Sequence, residues 1–248
     1  MVCLFAALVS LRGGELPKAL EIDGRGVLHL ERTRFEFTVF NAQWHPFGND
    51  KLIEMKSGKK DGAYVLSARL PFDGTEAGFE ETVTPAAPGE FQLRYRLNFP
   101  APFKGNDIRA SLVMPNDLAA VTVDGKRIEL PAQYGKTVVF AQKQVKTIVL
   151  DLAPGKRLTL YPEGSSVSIT DSRAYQQDTF SLNFPFKRSD ADAEFSLRFR
   201  WEEAAMSPVS LSGAANRSFC DDSSGGGWTG QGPDNDLSSM RGGRVERA

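Results

Sequence analysis

The sequence predicts an all-β protein, an antiparallel β-sandwich, with a large two-sheet supersandwich as the extended form of the same architecture. Three observations predict it. Apolar and polar residues alternate with a period of two over several strand-length segments. Turn dipeptides punctuate those segments at short intervals. No segment holds an i, i+3, i+4, i+7 apolar pattern for three turns, and 14 prolines are scattered through the 248 residues.

Taken in order, Met1–Leu11 carries an apolar run of the length of a signal-peptide core, too short to span a bilayer, without a basic leader or a clean cleavage site. Residues 1–16 therefore read as a signal-peptide-like or disordered N-terminus, with a buried first strand as the alternative. Residues 17–205 read as the sandwich. Thr33–Phe40 places Phe35, Phe37 and Val39 on one face. Phe91–Phe99 alternates through five apolar positions with Arg94 and Arg96 opposite, and Phe195–Trp201 repeats the pattern, which places Trp201 in the core. Asp124-Gly125 sits between the arms of Val121–Leu130 and predicts a two-residue type I′ hairpin, because both residues accept positive φ. Thr137–Phe140, Thr147–Leu152 and Leu158–Tyr161 add further strands.

Composition excludes some functions. Lys+Arg at 30 against Asp+Glu at 31 leaves a net charge of −1. Such a chain lacks the clustered positive charge that DNA or RNA phosphates demand, so no nucleic-acid partner is expected. Cys3 and Cys220 give neither a disulfide framework nor a zinc spacing.

Chemistry-bearing motifs are sparse. His29 and His45 are the two histidines, and no Gly-x-Ser-x-Gly elbow accompanies them. His29 reads as a half-buried strand residue, and His45 belongs to the aromatic-rich turn Phe40–Phe47. Glycoside hydrolysis needs two carboxylates facing each other across the sugar bond. Glu80-Glu81, Asp124 and Asp171 lack a motif that would pair them, and Glu80-Glu81 reads as a solvated strand edge. Asp171 with Arg173 reads as a buried pair pinning a sheet corner. The segment Gly225–Gly230 matches G-x-G-x-x-G only formally, since no βαβ unit surrounds it.

The segment Val209–Leu237 is the most specific in the chain. Asn216, Arg217, Phe219, Asp221, Gly226, Gly227, Trp228, Thr229, Gln231, Gly232, Asn235, Asp236 and Leu237 form the pattern Asn-Arg-x-Phe-x-Asp followed by Gly-Gly-Trp-Thr-x-Gln-Gly-x-x-Asn-Asp-Leu. It resembles the signature opening jelly-roll modules in large secreted bacterial glycoside-hydrolase-like proteins. The resemblance implies that residues 206–248 are the truncated start of a second jelly-roll module, largely disordered without its partner strands. It also implies a secreted or periplasmic setting. Outside Met1–Leu11 no segment approaches membrane-spanning length, so no membrane association of the mature form is expected.

Candidate sites follow. Sugar binding rests on exposed aromatic faces flanked by hydrogen-bonding side chains. Trp44 with Gln43, His45 and Asn49 has that composition, as does Trp228. Asp221, Asp222, Asp234, Asn235 and Asp236 supply the hard oxygen ligands that a structural calcium ion takes. No other cofactor is indicated. The reading that joins these signals is a noncatalytic accessory β-sandwich of a secreted carbohydrate-active protein, whose partners are a polysaccharide or a catalytic domain of the same protein. A structural or protein-binding module of the immunoglobulin-like kind and a glycoside hydrolase or lyase are the alternatives, because one sandwich fold hosts all three.

Overall fold

The computed structural model describes residues 14–204. The signature at 209–237, with Trp228 and the acidic candidates Asp221, Asp222, Asp234, Asn235 and Asp236, lies outside the described residues, as does the apolar run at 1–11.

Two antiparallel sheets pack face to face as a sandwich. The first runs from edge to edge through β1 (Leu20–Ile22), β2 (Leu28–Leu30), β3 (Thr33–Phe40), β9 (Asp107–Pro115), β16 (Thr179–Pro185), β15 (Val167–Asp171) and β12 (Val138–Gln142), with short β4 (Pro46–Gly48) paired to β3. The second runs through β11 (Lys126–Glu129), β10 (Ala120–Val123), β13 (Ile148–Ala153), β14 (Lys156–Tyr161), β18 (Asp192–Glu203), β8 (Glu90–Asn98), β7 (Thr75–Ala87), β6 (Ala63–Phe72) and β5 (Ile53–Lys60), with β17 (Lys187–Arg188) on β18.

Alternation in sequence becomes alternation in burial. Along β3 every second residue from Thr33 to Val39 is buried, and β8 and β18 repeat the pattern. A period of two on a pleated strand sends successive side chains to opposite faces, so each sheet has one apolar and one polar face. The apolar faces meet in an aromatic layer. Phe37 of the first sheet stacks on Phe79 of the second at 4.5 Å, and Phe35 meets Phe199 edge-on at 5.3 Å. Phe91 lies parallel to Phe199 at 4.7 Å. Trp201 is buried at the end of the same row.

The Asp124-Gly125 hairpin has the expected form. Val123 pairs with Lys126, and φ is 46° at Asp124 and 79° at Gly125, positive at both positions as a type I′ turn requires. Asp171 and Arg173 form the expected pin. Asp171 is fully buried, and the Arg173 guanidinium grips it through Nε and Nη2 at 2.9 and 2.7 Å. Arg173 also donates to the carbonyls of Pro131 and Ala132, both at 2.7 Å, so it ties the 131–132 segment to the end of β15.

Glu81 departs from its sequence reading as a solvated edge. Its phase along β7 is that of Ala77, Phe79 and Val83, so its carboxyl enters the core while Glu80 faces solvent. The alternation of the strand overrides the charge of the residue.

Candidate functional site

The turn between β3 and β4 is built around Asn41. Its buried side-chain oxygen accepts from the backbone N–H groups of Gln43 and His45 at 3.0 and 2.9 Å, and its amide donates to Asp73 at 2.7 Å. Trp44 donates its own N–H to the Asn41 carbonyl at 3.0 Å. An Asn side chain that satisfies its own turn in this way fixes a tight loop. Asn106 holds the turn from outside by donating to the Ala42 carbonyl at 3.1 Å.

This frame presents Trp44 to solvent. The indole is 61% exposed and stands 5.7 Å from the Phe40 ring. Its backbone lies in the left-handed region, with φ of 63°. The other non-glycine residues with positive φ among those described are Asp, Glu or Gln; Trp44 is the bulky exception. A large side chain in that region is strained by about 1–3 kcal/mol, and strain of this kind clusters at ligand-contacting sites.

Of the residues grouped with Trp44 on sequence, Gln43 and His45 are exposed beside it. Asn49 is not. It is buried, its oxygen accepts from Phe37 N–H at 3.0 Å, and its amide donates to the Arg25 carbonyl at 2.9 Å. Both polar atoms are spent on the backbone, so Asn49 clasps the fold and offers nothing to a ligand. Sequence reasoning missed Asn41, Phe40 and Arg109. Asn41 directly after an alternating strand was a turn signal. Nothing local pointed to Arg109, which lies far off in the chain and reaches the site through the pairing of β9 with β3.

Arg109 extends the site. Its guanidinium lies 4.4 Å over the Phe40 ring and 3.6 Å from the Asp107 carboxylate. Asp107 and Arg109 then border an open groove of about 470 Å³ on the outer face of the first sheet, further lined by Gln142, Lys143, Ser168 and Asn183.

The other acids named from sequence serve the fold. Asp124 accepts from Thr147 and Lys146 N–H at 2.9 and 3.0 Å and from the Gln142 amide at 2.9 Å. The Thr147 bond leads the effects that lower its pKa. Arg173 does the same for Asp171. His29 is half-exposed and lies 3.3 Å from Asp23. Glu81 is sealed in the core, where burial, and secondarily the charge of Asp23, raises its pKa well above the usual carboxylate range. Among the described residues no group of three or more His, Cys, Asp or Glu side chains is placed to hold a metal ion, and no helix is long and apolar enough to cross a membrane.

No protein family and no curated protein matches the chain. Among solved structures, an α-mannosidase from Enterococcus faecalis V583 superposes with a TM-score of 0.46 at 9% identity, over 75% of this chain. The matched part is 28% of that chain's length. A likeness of that degree bears on neither activity nor substrate. The fold and the turn at 41–45 thus define a β-sandwich that presents one exposed indole, Trp44, beside Phe40.

Proposed function

We propose that this chain is a noncatalytic, glycan-binding β-sandwich module of a secreted bacterial carbohydrate-active protein, working beside a catalytic domain of the same protein. The observation that carries the reading is Trp44, a solvent-facing indole held in a strained backbone conformation by a turn built to keep it there. Pyranose rings present apolar C–H faces that stack on such a surface, and Gln43 and His45 flank it as hydrogen-bonding groups. The signature at 209–237 supports the same setting.

The test is retention of the full chain on insoluble cellulose, chitin, xylan and mannan, beside a Trp44→Ala variant. The reading requires retention on at least one polysaccharide and its loss in the variant. A folded chain that none of them retains contradicts it.

A second reading, a structural or protein-binding module, is favoured by β5. All eight of its residues are exposed, and Ile53 and Met55 are 40% and 39% exposed at the edge of the second sheet. A strand edge that pairs with nothing further among the described residues is a contact surface for another chain.

A further inference from the structure

We propose that the ligand surface does not end at Trp44 but continues across the outer face of the first sheet, and that it takes an extended internal run of a neutral polysaccharide rather than a terminal sugar. The proposal rests on the glycan-binding reading and specifies its ligand.

Continuity is the first argument. Trp44 contacts Phe40, and Arg109 covers Phe40 while bordering the groove. The aromatic end and the groove therefore share a side chain. Phe40 stands opposite Asp107, and Arg109 opposite Pro185 of β16. Ser168 on β15 stands opposite Asn183, and β12 brings Gln142 beside Val167.

Length is the second. From β3 to β12 the path crosses four strand-to-strand steps, roughly 19 Å at the usual spacing. A path of that length takes several linked sugar rings running across the strands, where a single terminal sugar would occupy only one end of it.

Charge and hydrogen bonding are the third. Arg109 is matched by Asp107 inside the lining, which leaves Lys143 at the far end as its remaining charge. With two of its three charges paired, the lining carries too little net charge to hold a polyanion and suits an uncharged, hydroxyl-rich ligand better. Its floor is rigid. Ser111 donates to the Asn183 oxygen at 2.9 Å, and the Asn183 amide donates to Thr170 at 2.9 Å. At the far end the Gln142 amide nitrogen is fixed on Asp124, an acceptor when ionised, so the Gln142 oxygen is the atom left for a ligand hydroxyl.

The experiment is calorimetric titration of the full chain with cello-, xylo-, manno-, laminari- and chito-oligosaccharides of one to six units. The same series is run on Ser168→Tyr, which obstructs the groove from a surface strand position, and on Trp44→Ala. The proposal predicts that affinity for one series rises at least about tenfold between two and five units. Ser168→Tyr then loses that gain while still binding the short members, and Trp44→Ala weakens every length. Equal affinity for one unit and six, unmoved by Ser168→Tyr, overturns the extended groove and leaves Trp44 as a terminal-sugar site. Failure of every series and every length overturns the glycan reading itself and this proposal with it.

Discussion

Glu81 on β7 stands directly opposite Tyr95 on β8, and both side chains point between the sheets with their oxygens unpartnered among the described residues. Burial, with the Glu81 charge next, also pushes the Tyr95 hydroxyl pKa well above its usual range. A carboxyl without a compensating bond in such surroundings stays protonated more readily than one in water.

That relationship has a definite sign in pH. The unfolded chain releases the Glu81 proton in the ordinary carboxylate range, whereas the folded chain holds it to higher pH. The stability that Glu81 contributes is complete below the unfolded value and declines as pH rises through the folded one. Urea midpoints measured from pH 4 to pH 9 will show this decline in the parent and its absence in Glu81→Gln. Glu81→Leu will raise stability at pH 7 by about 1–3 kcal/mol, because it removes an unpaired buried polar group. Parallel pH curves for parent and Glu81→Gln would refute the assignment.

Gly26 closes over the same carboxyl. Its φ is 75°, and a Cβ there would collide with Glu81 Oε2 and Leu66 Cδ2. Gly26→Ala will destabilise the fold by about 1–3 kcal/mol. Combined with Glu81→Ala it will cost less than the sum of the two single changes, since the second change clears the space that the first one needs. Denaturation of the four chains of that cycle checks both statements.

At Trp44 stability and binding are predicted to part company. Replacing it with Asn, which accepts the left-handed region, relieves strain while giving up the Phe40 contact. Trp44→Asn will unfold within about 1 kcal/mol of the parent and will not bind glycan. Thermal unfolding beside a binding assay distinguishes this from a Trp that holds the fold together, whose loss would lower stability by several times as much.

Arg173→Ala leaves the buried Asp171 carboxylate with only the backbone N–H of residue 173 and frees the Pro131 and Ala132 carbonyls. The loss of stability, read from urea unfolding, is predicted to exceed clearly that from Arg157→Ala, whose pair with Asp151 is half-exposed and has no buried partner.

How much was legible follows from what each residue depends on. The strands of Thr33–Phe40, Phe91–Phe99 and Phe195–Trp201 were legible because burial on a pleated strand has a period of two, and all three segments keep it. The Asp124 turn was legible because its backbone demands positive φ. Glu81 was legible in principle, since Ala77, Phe79 and Val83 set its phase, but its charge suggested solvent. Asn49 was not legible, because an Asn that clasps the backbone and one that meets a sugar look alike in sequence. Arg109 was out of reach of any local pattern, because it joins Phe40 only through the pairing of β9 with β3.

The measurement that bears most directly on the glycan-binding reading is a glycan-array screen of the full chain beside Trp44→Ala, with both first shown to unfold cooperatively. The account predicts signal from the parent on one polysaccharide class and none from the variant. Equal signals from the two, or no signal from the folded parent, would contradict it.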